Sequence, residues 1–249
     1  MKRILSLTYL LFLIASCTKE KHNLYITGDI NGLKKGSIYL QKIDDTSLVN
    51  IDSVAVSGSS KFEFKTYIDQ AQVMFIELDR YNDENYAELI KFFAEPGEVH
   101  LKTSLKNYGI DLEVSSGFQN QKKLEEYNQM ISKFNADQLD LIEANFKANQ
   151  SQEEQLIDSI NKRYNALLRR KYLYTVNFAL NNKNLEVSPY VILTQAFDAN
   201  IKYLDTVYNG LEASIQKSLY GAQLKDLIEQ RRTEENQNTE TEVINEETK

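Results

Sequence analysis

The apolar residues of this chain change their spacing near residue 118, and this change constrains the fold more than any other feature. From Leu24 onward they alternate with polar residues at a period of two, the pattern of half-buried β-strands. From Gln119 onward they recur every three or four residues, the pattern of amphipathic helices. Strands followed by helices predict an α+β protein, with an antiparallel β-sandwich or open barrel over residues 24–117 and a helical region over residues 118–232.

Turn residues divide the β region into about eight short strands. The sequence Ser57-Gly58-Ser59-Ser60 lies between two alternating apolar stretches and predicts a β-hairpin over residues 51–67. Glu95-Pro96-Gly97-Glu98 fits a type II turn, because proline presets φ at the second position and glycine accepts a positive φ at the third.

Two long amphipathic stretches open the helical region, and a short turn joins them. Each is about 45 Å long at 1.5 Å per residue, which predicts a long αα-hairpin. Ser151 followed by Glu154 predicts a capping box at the start of the second helix. The two apolar stripes are longer than a small sandwich can cover, so we expect the later helices to bury them, with a protein partner as the alternative.

The remaining helices are shorter. Ser188-Pro189 predicts the start of a third helix, with Ser188 as its N-cap. A fourth helix is predicted to end at Gly210, and a last one is predicted to end near Arg232. Residues 233–249 are rich in glutamate and poor in apolar residues, which predicts a disordered acidic tail.

Residues 1–16 have the pattern of a secretory signal peptide, with a basic head, an apolar run and small residues at the end. The apolar run has only half of the ~20 residues that a membrane-spanning helix needs. Its ending, Ile14-Ala15-Ser16-Cys17, resembles the lipobox of bacterial lipoproteins. The resemblance implies that Cys17 carries a lipid that anchors the protein in a membrane, with residues 17–23 as a polar tether. The alternative is an ordinary secreted protein.

The cysteine content excludes a disulfide within the chain, and the charge argues against a nucleic-acid partner. Cys17 is the only cysteine, so no disulfide can form within the chain and the core alone must hold the fold. The formal net charge of −7 becomes −9 when Lys2 and Arg3 leave with the signal peptide. No basic cluster is dense enough to hold phosphates, so we expect no nucleic-acid partner.

Few residues point to catalysis or to a cofactor. His22 lies in the tether and His100 in a strand, so no transition-metal site of ordinary spacing is expected. The chain has no GxSxG motif and no phosphate loop, and the sequence therefore predicts no catalytic residue, cofactor or metal. The acidic loop from Asp79 to Asn85 could offer oxygen ligands to calcium, but it does not match an EF-hand and a solvated loop is the simpler interpretation.

Seven short segments of the chain carry little information singly but are informative as an ordered set. These segments are Ile26-Thr27-Gly28-Asp29-Ile30, Gly36-Ser37-Ile38-Tyr39-Leu40, Ile51-Asp52-Ser53-Val54, Lys61-Phe62-Glu63-Phe64, Phe93-Ala94-Glu95-Pro96-Gly97, Ser188-Pro189-Tyr190 and Ser218-Leu219-Tyr220-Gly221. Together they make residues 24–230 similar to a domain-of-unknown-function family of bacterial envelope lipoproteins. Members of this family usually place the module before a thioredoxin-like, thiol-disulfide oxidoreductase domain.

The chain departs from that arrangement, because no Cys-x-x-Cys motif follows the last helix. The resemblance therefore implies an envelope location but no redox activity. We expect a non-enzymatic lipoprotein, anchored through Cys17 and placed in the outer membrane, that acts as a binding or assembly module for an envelope protein. The alternatives are an accessory that docks on a separate thioredoxin-like oxidoreductase, a ligand-binding lipoprotein of a nutrient uptake system, and an enzyme with an unrecognised carboxylate site.

Overall fold

The structure, a computed structural model, describes residues 21–79 and 88–247, with side chains within residues 21–79 and 89–235. Strands and helices follow one another in two blocks within these ranges. The strands are β1 (Leu24–Asn31), β2 (Lys35–Asp44), β3 (Ser47–Ser57), β4 (Lys61–Thr66), β5 (Gln72–Asp79), β6 (Glu88–Ala94), β7 (Gly97–Ser104) and β8 (Glu113–Ser116). The helices are α1 (Gln119–Gln150), α2 (Glu154–Asn181), α3 (Val187–Gln195), α4 (Ile201–Gly210), α5 (Ala213–Gln216) and α6 (Leu219–Glu247).

The strands form two four-stranded sheets that pack face to face, which confirms the predicted α+β fold and selects the sandwich over the open barrel. The first sheet has the order β4-β1-β7-β8 and the second has the order β3-β2-β5-β6. The interior between them is apolar, with fully buried side chains such as Ile26, Ile38, Ile76 and Phe92. Burial of these side chains is the main stabilising contribution to the sandwich.

One strand pair differs from the predicted antiparallel pattern. β1 pairs with β7 in parallel, with Ile26 opposite Val99, whereas the other pairs of described strands are antiparallel. A parallel pair requires a long connection between its strands. Here the connection is the whole of β2 to β6, so the pairing is non-local and leaves no turn signal in the sequence.

The predicted β-hairpin over residues 51–67 is wrong. β3 pairs with β2 in the second sheet, and β4 pairs with β1 in the first. The turn around Gly58, which has a φ of +81°, therefore carries the chain from one sheet to the other. A hairpin and a corner between sheets need the same turn residues, so composition alone does not separate them.

The helices cover the outer face of the second sheet and make a third layer. Val73 of β5 and Phe93 of β6 point away from the sandwich interior and join a second core with buried residues of the helices, such as Val191, Ile192 and Leu224. This layer covers only part of the sheet. The remainder of the β5 and β6 outer face contributes to the groove described below.

The predicted αα-hairpin is present, with 32 residues in α1 and 28 in α2. The predicted capping box is wrong, because Ser151 is the C-cap of α1 and its hydroxyl donates to a Glu153 carboxylate oxygen at 2.7 Å, with the carbonyl oxygens of Lys147 and Ala148 at 3.2 Å. Glu153 is the N-cap of α2 and makes no side-chain capping bond. The Ser151 hydroxyl thus lies at the end of α1, between its last carbonyls and the Glu153 side chain, and does not cap the first amides of α2.

The two later helix ends also differ from prediction. α3 begins at Val187, so Ser188 lies inside its first turn, and the Ser188 hydroxyl donates instead to the Ala179 carbonyl oxygen at 2.8 Å. α6 continues past Arg232 to Glu247, through residues for which composition predicts disorder. No glycine or proline follows Gly221, so the sequence contains no stop signal for this helix.

Candidate functional site

Two of the predicted sites lie outside the described residues. Cys17 and the signal peptide precede residue 21, and the candidate calcium loop is described only at Asp79. None of the described helices is both long enough and apolar enough to cross a membrane. In residues 21–79 and 88–247, no group of three or more histidine, aspartate and glutamate side chains is arranged to hold a metal ion.

His100 lies on the exposed face of β7, in a shallow surface depression with Tyr25 and Glu98. Its Nδ1 atom is 3.0 Å from the Thr27 hydroxyl. The contact joins neighbouring strands at the surface, as expected for an ordinary strand histidine. Glu63, Glu98 and Ser115 line the same depression, but among the described residues His100 has no hydrogen bond to any of the three.

Three of the sequence segments quoted above meet between the second sheet and the helices. The rings of Phe93, Tyr190 and Tyr220 contact one another, with centroids 5.1–5.8 Å apart. The Val73 N–H donates to the Tyr220 hydroxyl at 2.8 Å. Burial raises the pKa of the Tyr220 hydroxyl, so it remains a neutral partner for that amide.

A second set of buried hydrogen bonds extends this junction. The Asn120 side chain, 1% exposed, accepts from the Val187 N–H at 2.7 Å and donates to a Glu186 carboxylate oxygen at 2.8 Å. The Asn120 N–H donates to a Glu95 carboxylate oxygen at 2.7 Å. These groups satisfy one another, and we therefore interpret the junction as the device that fixes the helices on the sandwich rather than as a reaction centre.

The candidate site is a groove of about 740 Å³ beside this junction. One wall is β6 with the adjacent Phe75 of β5, a second is the segment between β7 and β8, and a third is the first half of α1. Apolar side chains dominate two of the walls, among them Leu89, Ile110 and Leu112. Its volume falls in the range of ligand sites, which are typically apolar clefts with a few placed polar groups.

Strand β6 forms the edge of the second sheet at this groove. The Phe93 N–H donates to the Gln121 side-chain oxygen at 2.7 Å, so it points out of the sheet. Val73, opposite Phe93, also donates outside the pair, which identifies the two as a non-hydrogen-bonded pair. N–H directions alternate along an antiparallel strand, so the N–H groups of Leu89 and Lys91 also point outward.

The segment between β7 and β8 is held by Asp111. Its carboxylate accepts from the hydroxyls of Ser104 and Thr103, both at 2.6 Å, and from the Ser104 N–H at 3.0 Å. These bonds, the one from the Ser104 hydroxyl first, lower the pKa of Asp111 to about 2. The Gly109 N–H donates to the Thr103 hydroxyl at 3.2 Å. This network fixes Gly109, Ile110 and Leu112 as a groove wall.

Polar side chains lie at opposite sides of the groove. Lys91 is exposed on β6, and Glu125 and Asn128 are exposed on successive turns of α1. Glu125 accepts from the Gln121 side-chain amide at 2.7 Å. Within the described residues, Lys91 and Glu125 form no ion pair with each other or with another side chain. Both charges are therefore available to a ligand.

The far end of the αα-hairpin forms a second exposed surface. The later helices bury the end near the sandwich, where the Tyr127 and Thr175 hydroxyls are hydrogen-bonded at 2.8 Å. Beyond that end the two helices form their own small cluster of Leu141, Ala148, Ile160 and Leu167. Leu139 and Phe146 remain 65% and 63% exposed there. The expected burial by later helices is thus confirmed for only part of the stripe.

The groove was not predicted from the sequence. Its walls come from strands, a loop and a helix that are separated along the chain, and none of them carries a catalytic motif. The available signals were weak. Gln121 is a polar residue at a position that the helical spacing makes buried, and Leu112 and Val114 alternate within a short polar segment.

Residues 24–124 match the family described as Domain of unknown function (DUF4369). The match covers the sandwich and the first turns of α1, including the Gln121 and Leu124 positions of the groove. Searches of curated proteins and of solved structures found no match. The Ser188 and Tyr220 segments lie outside the matched range, although they pack against it.

Proposed function

We propose that this protein is a non-enzymatic lipoprotein of the bacterial cell envelope, anchored through Cys17, that acts as a binding or assembly module. The observation that carries the binding role is the groove between β6 and α1. It combines apolar walls with one cation, Lys91, and one carboxylate, Glu125, neither of which has an ion-pair partner in the part of the chain that the structure describes. Such a pattern supports recognition of a ligand with both apolar and charged groups.

The composition of the groove supports recognition rather than reaction. Its described lining contains no histidine, serine, cysteine or threonine, and its only carboxylate comes from Glu125. Nucleophilic and acid–base catalysis generally need at least two such groups within hydrogen-bond reach. We therefore propose that this site binds a ligand and does not catalyse a reaction.

The envelope location rests on the sequence of residues 1–17. A signal peptide that ends in small residues before a cysteine supports lipid anchoring. A lipid with two or more acyl chains holds a protein stably on a membrane. The tether of residues 17–23 would leave the sandwich close to that surface, on the periplasmic face or at the cell surface of the outer membrane.

The test is capture of envelope partners with a blocked groove. Asn128→Trp places an indole in the groove from an exposed position of α1, and Lys133→Trp places the same side chain on the exposed surface of that helix away from the groove. Full-length protein, wild type or variant, is cross-linked in intact cells and recovered in detergent. A partner that Asn128→Trp loses and Lys133→Trp keeps supports the proposal, whereas partners equally retained by both variants contradict it.

The identity of the partner separates the alternatives. Recovery of a protein with a thioredoxin-like domain and a Cys-x-x-Cys motif would favour the accessory role that the family resemblance implies. Recovery of an outer-membrane transporter would favour a role in nutrient uptake. In both cases, dependence on the groove distinguishes a specific partner from an abundant contaminant.

A further inference from the structure

We propose that the groove binds an extended peptide segment of a partner protein, which pairs with β6 as an additional strand of the second sheet. This inference rests on the proposed binding function and specifies the chemical class of the ligand. Addition of a strand to an exposed sheet edge is a recurrent mode of peptide recognition, in which backbone hydrogen bonds provide affinity and side-chain pockets provide specificity.

The backbone of β6 provides the hydrogen-bonding groups. Because Leu89 and Lys91 face Glu77 and Phe75 in non-hydrogen-bonded pairs, their N–H and C=O groups point out of the sheet. No described residue outside the ladder accepts from the N–H of Leu89 or Lys91. A peptide strand alongside would bind the N–H and C=O groups of Lys91 and the N–H of Leu89, whereas the Leu89 carbonyl oxygen already faces Gly109, at whose position an added Cβ would lie 3.7 Å from it.

At Phe93, two residues further along β6, the protein itself provides the acceptor for the outward N–H group. Its outward N–H is bound by the oxygen of Gln121, whose side chain is buried and whose amide nitrogen donates to Glu125. α1 thus provides an acceptor at the end of the edge nearest the junction. An added strand would continue that pattern along the rest of β6.

The walls also fit a strand whose side chains alternate. Residues of a peptide opposite Lys91 would share its face of the sheet, on the side that carries Phe75 and Leu89. The residues between them would point to the other face, toward Ile90, Leu112 and Val114. An extended peptide with apolar residues at alternate positions therefore matches both sides of the groove.

Charge complementarity restricts the peptide further. Lys91 forms no ion pair within the described residues, so an acidic peptide residue on its face gains an unopposed cation. Glu125 lies on the helical wall and favours a basic residue toward α1. The ligand class is thus an extended, partly apolar peptide with one acidic and one basic residue, rather than a fully apolar one.

The experiment uses a phage-displayed library of random 12-residue peptides and the full-length protein in detergent micelles. Selected peptides are synthesised, and their affinities are measured for the wild type, Lys91→Pro and Lys91→Ala. Proline removes the outward N–H without breaking a ladder bond, because that N–H is not in the ladder. Alanine removes the charge and keeps the N–H, and it serves as the matched control.

Strand addition predicts at least a tenfold loss of affinity for Lys91→Pro and a smaller loss for Lys91→Ala. It also predicts slower hydrogen exchange of the Leu89 and Lys91 amides in the wild type when peptide is bound. Methylation of the peptide nitrogens that face β6 should abolish binding, and this measurement does not depend on whether Lys91→Pro folds.

The proposal is overturned if the library yields no groove-dependent peptide, or if selected peptides bind Lys91→Pro as tightly as the wild type without protecting those amides. A dimer of the protein that forms through β6, detected by its mass in solution, would also contradict it. If Asn128→Trp loses a cellular partner while every peptide result is negative, the binding function stands and only strand addition fails.

Discussion

The Val73 N–H donates to the Tyr220 hydroxyl at 2.8 Å, although 147 residues separate them in the sequence. Val73 is in β5 of the second sheet and Tyr220 is in the first turn of α6. The amide lies where β2 no longer pairs with β5, so it has no acceptor from the ladder. The last helix of the protein therefore completes the hydrogen bonding of a strand in its first half.

We expect Tyr220→Phe to lower the free energy of unfolding by about 1–3 kcal/mol, because it leaves a buried N–H without an acceptor. Tyr190→Phe is the matched control. Its ring belongs to the same aromatic group, but its hydroxyl has no hydrogen-bond partner among the described residues. Urea denaturation of both variants measures the difference, and equal loss in the two would show that the Val73 hydrogen bond adds no stability.

We expect Gly28→Ala to destabilise the sandwich. The Phe62 ring lies against the backbone of Gly28, so an added Cβ would overlap it. Overpacking of this kind typically costs about 1–3 kcal/mol. Gly117→Ala is the control, because its Cβ would meet no atom within 4 Å. Thermal unfolding compares the two, and a Gly28 variant as stable as the Gly117 variant would contradict the close approach.

Asp111 should give the groove wall a dependence on pH. Its pKa is lowered in the folded protein, from the usual value of about 3.9 to about 2. The carboxylate therefore stabilises the segment fully above pH about 4, and this contribution is lost as the pH falls toward 2. The protection of the Ser104 and Gly109 amides against hydrogen exchange, measured relative to the intrinsic exchange rate at each pH, should therefore fall over that window. Asp111→Asn should remove the dependence, and a Ser104 amide that stays equally protected from pH 5 to 2 would refute it.

The far end of the αα-hairpin should open before the rest of the protein, because only two helices form its cluster. We expect Ile160→Ala to lower the local opening free energy by about 2–5 kcal/mol, since Ile160 is buried there. Phe146→Ser should change it by about 0.5 kcal/mol or less, because this ring is exposed. Native-state hydrogen exchange measures both. Equal effects would mean that Phe146 packs in solution.

We expect Cys17→Ser to release the protein from membranes into the soluble fraction, because serine cannot take the thioether-linked lipid. Thr18→Ala is the control and should remain membrane-bound. Fractionation followed by mass spectrometry of the N-terminal peptide checks both location and lipid. Membrane retention of the serine variant would place the anchor elsewhere.

The order of strands and helices could be predicted because periodicity is a local property of the sequence. The alternation from Leu24 and the helical spacing from Gln119 both correspond to observed elements. The pairing of the strands is not a local property and could not be predicted in this way. Turn residues such as Gly58 indicate that the chain changes direction, but they do not indicate which strand the next one pairs with. The corner between the two sheets was therefore predicted as a hairpin.

The predictions of the two helix N-caps were wrong for a related reason. A serine near a helix end can serve either the free amides of one helix or the free carbonyls of another. Ser188 takes the second option, and the Ser151 hydroxyl lies between the last carbonyls of α1 and the Glu153 carboxylate, so the partner depends on which acceptor the fold brings near. The groove was equally unpredictable, because Lys91 and Glu125 acquire their relation only when β6 and α1 pack side by side.

The parallel pairing of β1 with β7 also determines when the sandwich can form during synthesis. The first strand finds β4 some forty residues later along the chain, but its other side stays unpaired until residues 97–104 have left the ribosome. A protein built on such distant contacts folds slowly. Until then β1 keeps one open edge on the growing chain, where its unpaired N–H and C=O groups are accessible to other strands.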